Sequence, residues 1–129
     1  MKAGGSSENL VLRTRLSVLW LCGEATALAT IAFELLSGVK QGVAISAGYL
    51  LLLSIIALIP PMMAFLSQTL RNGANRWANV IIGIVVGAFA TVVMLQELEV
   101  QPAIAVDPAA GIVFQAIIVF YAFKSNQKA

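Results

Sequence analysis

Four long apolar stretches, separated by short polar segments, dominate the pattern along the chain. About twenty apolar residues cross a bilayer as a helix, and backbone groups in hydrocarbon must be paired internally, which a helix achieves. The stretches also lack the alternation that barrel strands show. The pattern therefore predicts an all-α polytopic membrane protein, a four-transmembrane-helix bundle that forms a single domain over residues 1–129, with helices at about 16–36, 43–70, 77–98 and 108–123.

The polar segments between these stretches give the turns. Residues 1–12 are small and polar at first and predict a flexible tail. Asn72-Gly73, in the segment before the third stretch, is a strong turn signal. Asp107 followed by Pro108 predicts the start of the fourth helix, with the aspartate as N-cap and the proline at the first helical position.

Composition narrows the possible chemistry. The chain is 60% hydrophobic and 11% charged, with a mean hydropathy of +0.92, whereas soluble domains carry about 25% charged residues. It contains no histidine, and Cys22 is its one cysteine, which excludes an intramolecular disulfide, a metal site built on Cys or His, and histidine acid–base catalysis. We therefore predict no catalytic residue, no metal and no cofactor. No basic tract indicates nucleic acid as a partner.

The charges are distributed unevenly among the loops. Lys40 stands near the acidic residues Glu97, Glu99 and Asp107, on one predicted side of the membrane. Positive residues in short loops mark the cytoplasmic side, so we expect both termini to be cytoplasmic. The remaining cations all fall on the other predicted side: Lys2, Arg13, Arg15, Arg71, Arg76, Lys124 and Lys128.

Glu24 lies about eight residues into the first predicted span. An ionisable side chain at that depth is costly and indicates a functional site by default. No basic residue lies at the same depth, so we expect Glu24 to be protonated. It then either hydrogen-bonds a neighbouring helix as structural glue, or exchanges its proton for a cationic or polar ligand.

Gln115 is the predicted partner of Glu24, because it lies near the middle of the fourth span at a similar depth. The two would form an intramembrane polar site, either as a contact between helices or as the lining of a small polar cavity. Glu34 lies near the outer end of the first span. We interpret it as an interfacial acid that reaches headgroups or pairs with Lys40.

Two further features bear on helix packing. Pro60 and Pro61 lie inside the second span, and because neither has an N–H group, a kink is expected there. Gly83 and Gly87 form a small-residue stripe in the third span. Such a stripe permits close contact between helices, either within one chain or in a dimer.

The string "NRWAN" begins the third span. Asn75 is predicted to cap the helix, and Asn79 to bond a neighbouring helix. Arg76 and Trp77 suit the interface, where a cation binds headgroups and an amphipathic ring sits among them.

Together with "RLSVLW" (Arg15–Trp20), the string "NRWAN" resembles a small bacterial four-helix membrane protein family of unknown function. In that family an Arg-Leu-x-x-Leu-Trp string opens the first helix and an Asn-Arg-Trp-Ala-Asn string opens the third. The likeness covers most of the chain, from Arg15 to about Phe123. It implies a four-helix fold in a bacterial inner membrane, and it implies no activity.

These observations predict a multi-pass protein of the bacterial inner (cytoplasmic) membrane that is not an enzyme. Its function would be that of a structural or accessory bundle that binds lipid or partner helices. The lipid bilayer is its predicted partner, with a homo-oligomer or a larger membrane complex left open. The alternative function is a proton-coupled carrier of a small hydrophobic or cationic molecule that uses Glu24.

Overall fold

The residues described by the computed structural model form four helices: α1 (Ala3–Lys40), α2 (Ala47–Thr69), α3 (Asn72–Val100) and α4 (Val106–Lys124). The structure describes residues 3–40, 42, 44, 46–100, 102–103 and 105–124, and their side chains from residue 7 onward except at 39, 40 and 100. Each helix is long and apolar enough to cross a membrane. The predicted all-α architecture of four membrane-spanning helices is confirmed.

The first helix starts much earlier than predicted. The sequence predicted a flexible tail over residues 1–12, but residues 3–12 belong to α1, so this prediction is wrong for them. Hydropathy marks the part of a helix that lies in lipid, whereas the backbone hydrogen bonds continue beyond it. No proline interrupts residues 3–12, and Glu8, Leu10 and Leu12 are good helix formers. With 38 residues, α1 is about 57 Å long, well beyond the ~30 Å hydrocarbon layer.

The other helix starts also differ from the predicted limits. α2 begins at Ala47, after Ser46, whose hydroxyl accepts a hydrogen bond of 3.2 Å from the Tyr49 N–H. α4 begins at Val106, so Asp107 lies inside the first turn and is not the N-cap. There its negative charge still faces the positive end of the helix dipole. Pro108 lies in the same turn, where the missing N–H would have had no helical partner.

α1 lies between α2 and α4, and α4 packs in turn against α3. The order around the bundle is therefore α2, α1, α4, α3. Although Leu70 and Arg71 alone connect α2 with α3, these two helices contact each other far less than the other neighbouring pairs do. A seam between α2 and α3 consequently remains open over much of the bundle.

The close contact between α3 and α4 depends on the glycine stripe. A Cβ atom added at Gly83 would lie 2.9 Å from Cγ2 of Val119, and one added at Gly87 would lie 3.3 Å from Cβ of Gln115. Both glycines thus face α4, and the stripe serves a contact within the chain.

The two halves of the bundle differ. We call the end that carries most of the arginines the basic end, and the opposite end, where Glu34, Glu97 and Asp107 lie, the acidic end. The core fills the half toward the basic end, where it is formed by Leu16, Trp20, Met63, Ala64 and Ile118. The half toward the acidic end contains a cavity instead.

Candidate functional site

A buried polar network joins three helices in the half toward the basic end. Its centre is Asn79 of α3, which is fully buried. Asn79 Oδ1 accepts hydrogen bonds from Trp20 Nε1 of α1 at 2.7 Å and from Ser67 Oγ of α2 at 3.2 Å. Its Nδ2 donates to the backbone and side-chain oxygens of Asn75, both at 2.7 Å. Both acceptor sites and both donors of the amide are thus used.

Asn75 has a different role from the predicted one. α3 begins at Asn72, so Asn75 lies one turn inside and does not cap that helix. Its Nδ2 donates instead to the carbonyl of Ser67, at 3.2 Å. Ser67 lies in the last turn of α2, where the carbonyls have no helical donor. Asn75 therefore satisfies the C-terminal end of the neighbouring helix.

Arg13 of α1 also binds the C-terminal end of α2. Its guanidinium donates to the carbonyl of Gln68 and to Oδ1 of Asn72, both at 2.8 Å. A cation is favoured at a helix C-terminus, where the backbone dipoles place partial negative charge. The turn between α2 and α3 is thus fixed by side chains from α1 and α3.

The strings that carry the family resemblance meet in this network. Leu16 and Trp20 of "RLSVLW" are buried in the core, and the Trp20 indole reaches Asn79 of "NRWAN". Trp77, in contrast, is about half exposed, and the guanidinium of Arg76 lies 5.3 Å from its ring centre. The tryptophan of the first string is therefore structural, whereas that of the second faces outward.

The cavity in the other half has a volume of about 300 Å³, at the lower end of the ~300–1,000 Å³ typical of ligand pockets. All four helices line it. Most of the lining is apolar, with polar groups from Thr26, Thr30, Glu34, Tyr49, Gln96 and Gln115.

The cavity opens sideways between α2 and α3. Leu52 of α2 and Phe89 and Val92 of α3 line it, yet these side chains are 51%, 44% and 53% exposed. Side chains that both line a cavity and remain exposed mark its mouth. In a membrane such a mouth at the α2–α3 seam meets lipid chains.

Glu34 and Tyr49 lie at the outer end of this cavity. The Tyr49 hydroxyl donates a hydrogen bond to Oε2 of Glu34. This contact ties the end of α1 to the start of α2. The predicted alternative partner, Lys40, lies outside the described side chains.

Gln115 lies at the inner end of the cavity and is 3% exposed. Its Oε1 is buried without a hydrogen-bond partner in the described part of the chain. A Cβ added at Gly83 would lie 3.6 Å from this oxygen, so Oε1 faces α3 at Gly83, a residue without a side-chain donor. The amide nitrogen lies on the opposite side, toward Gly23.

Glu24 does not bond Gln115. Successive residues of a helix point 100° apart, and it is Gly23 that faces Gln115: its added Cβ would lie 3.5 Å from Nε2. Oε2 of Glu24 is buried without a hydrogen-bond partner among the described residues. Glu24 is also absent from the described lining of the cavity. The two residues predicted as one polar site thus lie on different faces of the bundle interior.

The surroundings of Glu24 follow from the contact between α1 and α2. Ser17 Oγ donates to the carbonyl of Ala64 at 2.7 Å, and the two helices are antiparallel. Two turns further along α1, Glu24 therefore lies at the level of Ala57. The carbonyl of Ala57 has lost its helical donor because Pro61 has no N–H, although α2 is continuous through both prolines. A protonated carboxyl group has an O–H that is able to donate a hydrogen bond to such a carbonyl.

Sequence reasoning missed Tyr49, Thr26 and Thr30 as lining residues. Thr26 and Thr30 also donate to carbonyls of their own helix, those of Gly23 and Thr26. In the sequence they are single polar residues among apolar ones, a pattern that also occurs on buried helix faces. The signal that was present is their spacing with Glu34, which places all three on one side of α1.

A family model described as a family of unknown function (DUF6326) matches residues 13–124 of the chain. No match was found among curated proteins or among solved structures.

Proposed function

The chain belongs to this family of unknown function, and we propose that it is a non-enzymatic, lipid-binding protein of the bacterial cytoplasmic membrane. The single observation that carries the proposal is the cavity with its mouth at the α2–α3 seam. An apolar cavity open to the bilayer is filled more favourably by hydrocarbon than by water, because water would find few hydrogen-bond partners there. The cation-rich loops support a topology in which the basic end faces the cytoplasm.

The shape of the cavity favours an elongated occupant. Its inner end lies at Gly23 and its outer end at Glu34 on the same helix, a rise of about 16 Å at 1.5 Å per residue. A volume of about 300 Å³ spread over that length is narrow. This space suits one acyl chain of a phospholipid from the leaflet at the acidic end.

The outer end of the cavity favours a headgroup that carries an ammonium. Glu34 supplies the carboxylate in the described lining of the cavity, and one of its oxygens accepts the hydrogen bond from Tyr49. The other oxygen is able to accept a hydrogen bond from the ammonium of an ethanolamine headgroup, at the level where headgroups begin. A charge-assisted hydrogen bond of this kind is stronger than a neutral one.

The carrier function raised by the sequence has less support. It relied on Glu24 as the titrating group, but Glu24 lies outside the described lining of the cavity. Its position at the level of the proline-freed carbonyl of Ala57, derived from the Ser17–Ala64 contact, favours structural glue instead.

Filling the cavity is expected to block lipid binding. Ala90 lines the cavity from α3, so Ala90→Trp places an indole where the acyl chain would lie. The probe is a phosphatidylethanolamine with a photoreactive diazirine in its acyl chain, reconstituted with the purified protein in nanodiscs. We expect wild-type protein to be labelled at cavity residues, and Ala90→Trp to be labelled severalfold less.

Ala88→Trp is the matched control for this experiment. Ala88 lies on the same helix, is exposed, and is absent from the described lining. Its replacement should leave the labelling unchanged. Equal labelling of the wild type and of Ala90→Trp would refute the proposed site.

Glu34→Gln is expected to remove the preference for ethanolamine headgroups. The amide keeps the size of the side chain but loses the charge, so labelling by the phosphatidylethanolamine probe should fall to that of a phosphatidylcholine probe with the same chain. Glu24→Gln makes the same substitution elsewhere on α1. Because the Glu24 carboxyl is expected to be protonated and the amide keeps a hydrogen-bond donor, labelling and stability should both persist. A loss of labelling in Glu24→Gln, with the helical content intact, would favour the carrier function.

A further inference from the structure

Three aromatic rings lie near the C-terminal end of α4, and each makes a cation–π contact with a basic side chain. Nζ of Lys124 lies 5.7 Å from the ring centre of Phe120. The guanidinium of Arg15 lies 5.9 Å from the ring of Tyr121. From the opposite side, the guanidinium of Arg76 lies 5.1 Å from the ring of Phe123. We call Arg15, Arg76 and Lys124 the cation arc.

The cation arc faces away from the bundle. At 100° per residue, Tyr121 and Phe123 lie about 100° and 60° to either side of Phe120. Ala122 lies opposite the middle of the arc and is 1% exposed. Phe120 and Phe123 are more than half exposed. The three cations therefore surround the outward side of the helix end, at the depth where a bilayer places its headgroups.

These cations have no anionic partner within the described structure. None of Arg15, Arg76 and Lys124 forms a described ion pair or hydrogen bond, and Nε of Arg76 is buried without an acceptor. Five of the six acidic residues of the chain lie in mid-span or at the acidic end. The sixth, Glu8, lies two helical turns before Arg15 on α1.

The end of α4 itself does not balance this charge. The backbone dipoles place about half a negative elementary charge at a helix C-terminus, against three positive charges in the arc. Aromatic faces hold cations through their quadrupole, at about 0.5–1 kcal/mol where exposed, but they carry no net charge. Counting only the arc and the end of α4, an excess of about two positive charges therefore faces the headgroup layer.

We propose that the cation arc binds the phosphate of an anionic phospholipid in the leaflet at the basic end. Guanidinium groups match the geometry of phosphate oxygens, and the rings of Phe120 and Phe123 lie where the upper part of the acyl chains passes. This site is separate from the cavity, which opens toward the other leaflet.

The test measures how far lipid raises the melting temperature of the detergent-solubilised protein. Dioleoyl phosphatidylglycerol should raise it, whereas dioleoyl phosphatidylcholine should not. Arg76→Gln should weaken the apparent affinity for phosphatidylglycerol about tenfold or more, a change that corresponds to ~1.4 kcal/mol. Arg71→Gln is the matched control, because it removes the same charge at the same end from an exposed residue without a described ring contact.

Each outcome decides the question. Equal losses in Arg76→Gln and Arg71→Gln would show a nonspecific charge effect and overturn the proposal. A shift produced by inorganic phosphate alone would identify a free anion as the ligand and overturn the lipid source. If Arg76→Gln loses its helical content, the exposed Lys124→Gln supplies the measurement, with a severalfold loss expected and an unchanged affinity against the proposal. Ala90→Trp blocks only the cavity and should leave this affinity unchanged.

Discussion

Replacing Asn79 with alanine is expected to lower the free energy of unfolding by about 2–4 kcal/mol. The amide joins Trp20 of α1 and Ser67 of α2 to α3, and its loss leaves the Trp20 N–H buried without an acceptor. An unsatisfied buried group costs about 1–3 kcal/mol, whereas one hydrogen bond between membrane helices averages only about 0.6 kcal/mol. Most of the expected loss thus comes from the groups left unpaired. Unfolding by sodium dodecyl sulfate titration, followed by circular dichroism, measures it.

Asn72→Ala is the matched control for this prediction. Asn72 lies on the same helix and also accepts a hydrogen bond, from Arg13, but it is exposed. Water replaces that bond, so the expected cost is below about 1 kcal/mol. Similar losses in the two variants would mean that the buried network contributes no more than a surface contact.

Replacing Gly83 with alanine is expected to lower the free energy of unfolding by about 1–3 kcal/mol. The new Cβ would lie 2.9 Å from Cγ2 of Val119, and a valine side chain on a helix is confined to one main rotamer. α3 and α4 must therefore move apart, which loosens the tightest contact of α3 in the bundle. The same detergent titration measures the effect.

Gly73→Ala is the matched control: it makes the same substitution in the same helix but is not expected to destabilise the protein. No atom lies within 4 Å of a Cβ added at Gly73, and alanine is the better helix former by up to about 1 kcal/mol. Stability should stay the same or rise. Destabilisation of both variants to the same extent would exclude close packing at Gly83 as the cause.

Hydropathy was sufficient to predict the number and type of the helices, because the bilayer requires long apolar helical segments whatever their packing. It did not predict their ends. α1 and α3 continue beyond the lipid layer, where a helix no longer needs apolar side chains. Arg13 and Arg15 in α1, and Asn72 and Asn75 in α3, are polar residues that a helix in water accommodates. The spans predicted for α1, α3 and α4 are therefore shorter than their helices, whereas the span predicted at 43–70 is longer than α2, which begins only after Ser46.

The candidate site was harder to predict, because it depends on how each helix is rotated about its own axis and on the order of the helices around the bundle. Glu24 and Gln115 have similar depths, but one residue of offset turns Glu24 away and brings Gly23 to Gln115. Trp20 and Asn79 were each recognisable as special residues, yet their contact requires the α1–α3 register. The cavity itself exists because α2 and α3 separate, which no local pattern in either helix indicates.

The order of the helices around the bundle also bears on how the chain assembles. α1 with α2 and α3 with α4 are two hairpins that each pack along their own length, and α1 against α4 joins them. Helices leave the ribosome in sequence order, so each hairpin is able to pack as soon as it has been synthesised. Asn79 reaches Trp20 and Ser67 only when the second hairpin docks on the first. A misdocked pair of hairpins would therefore leave the Asn79 amide and the Trp20 indole unsatisfied in the membrane, which disfavours such a pairing.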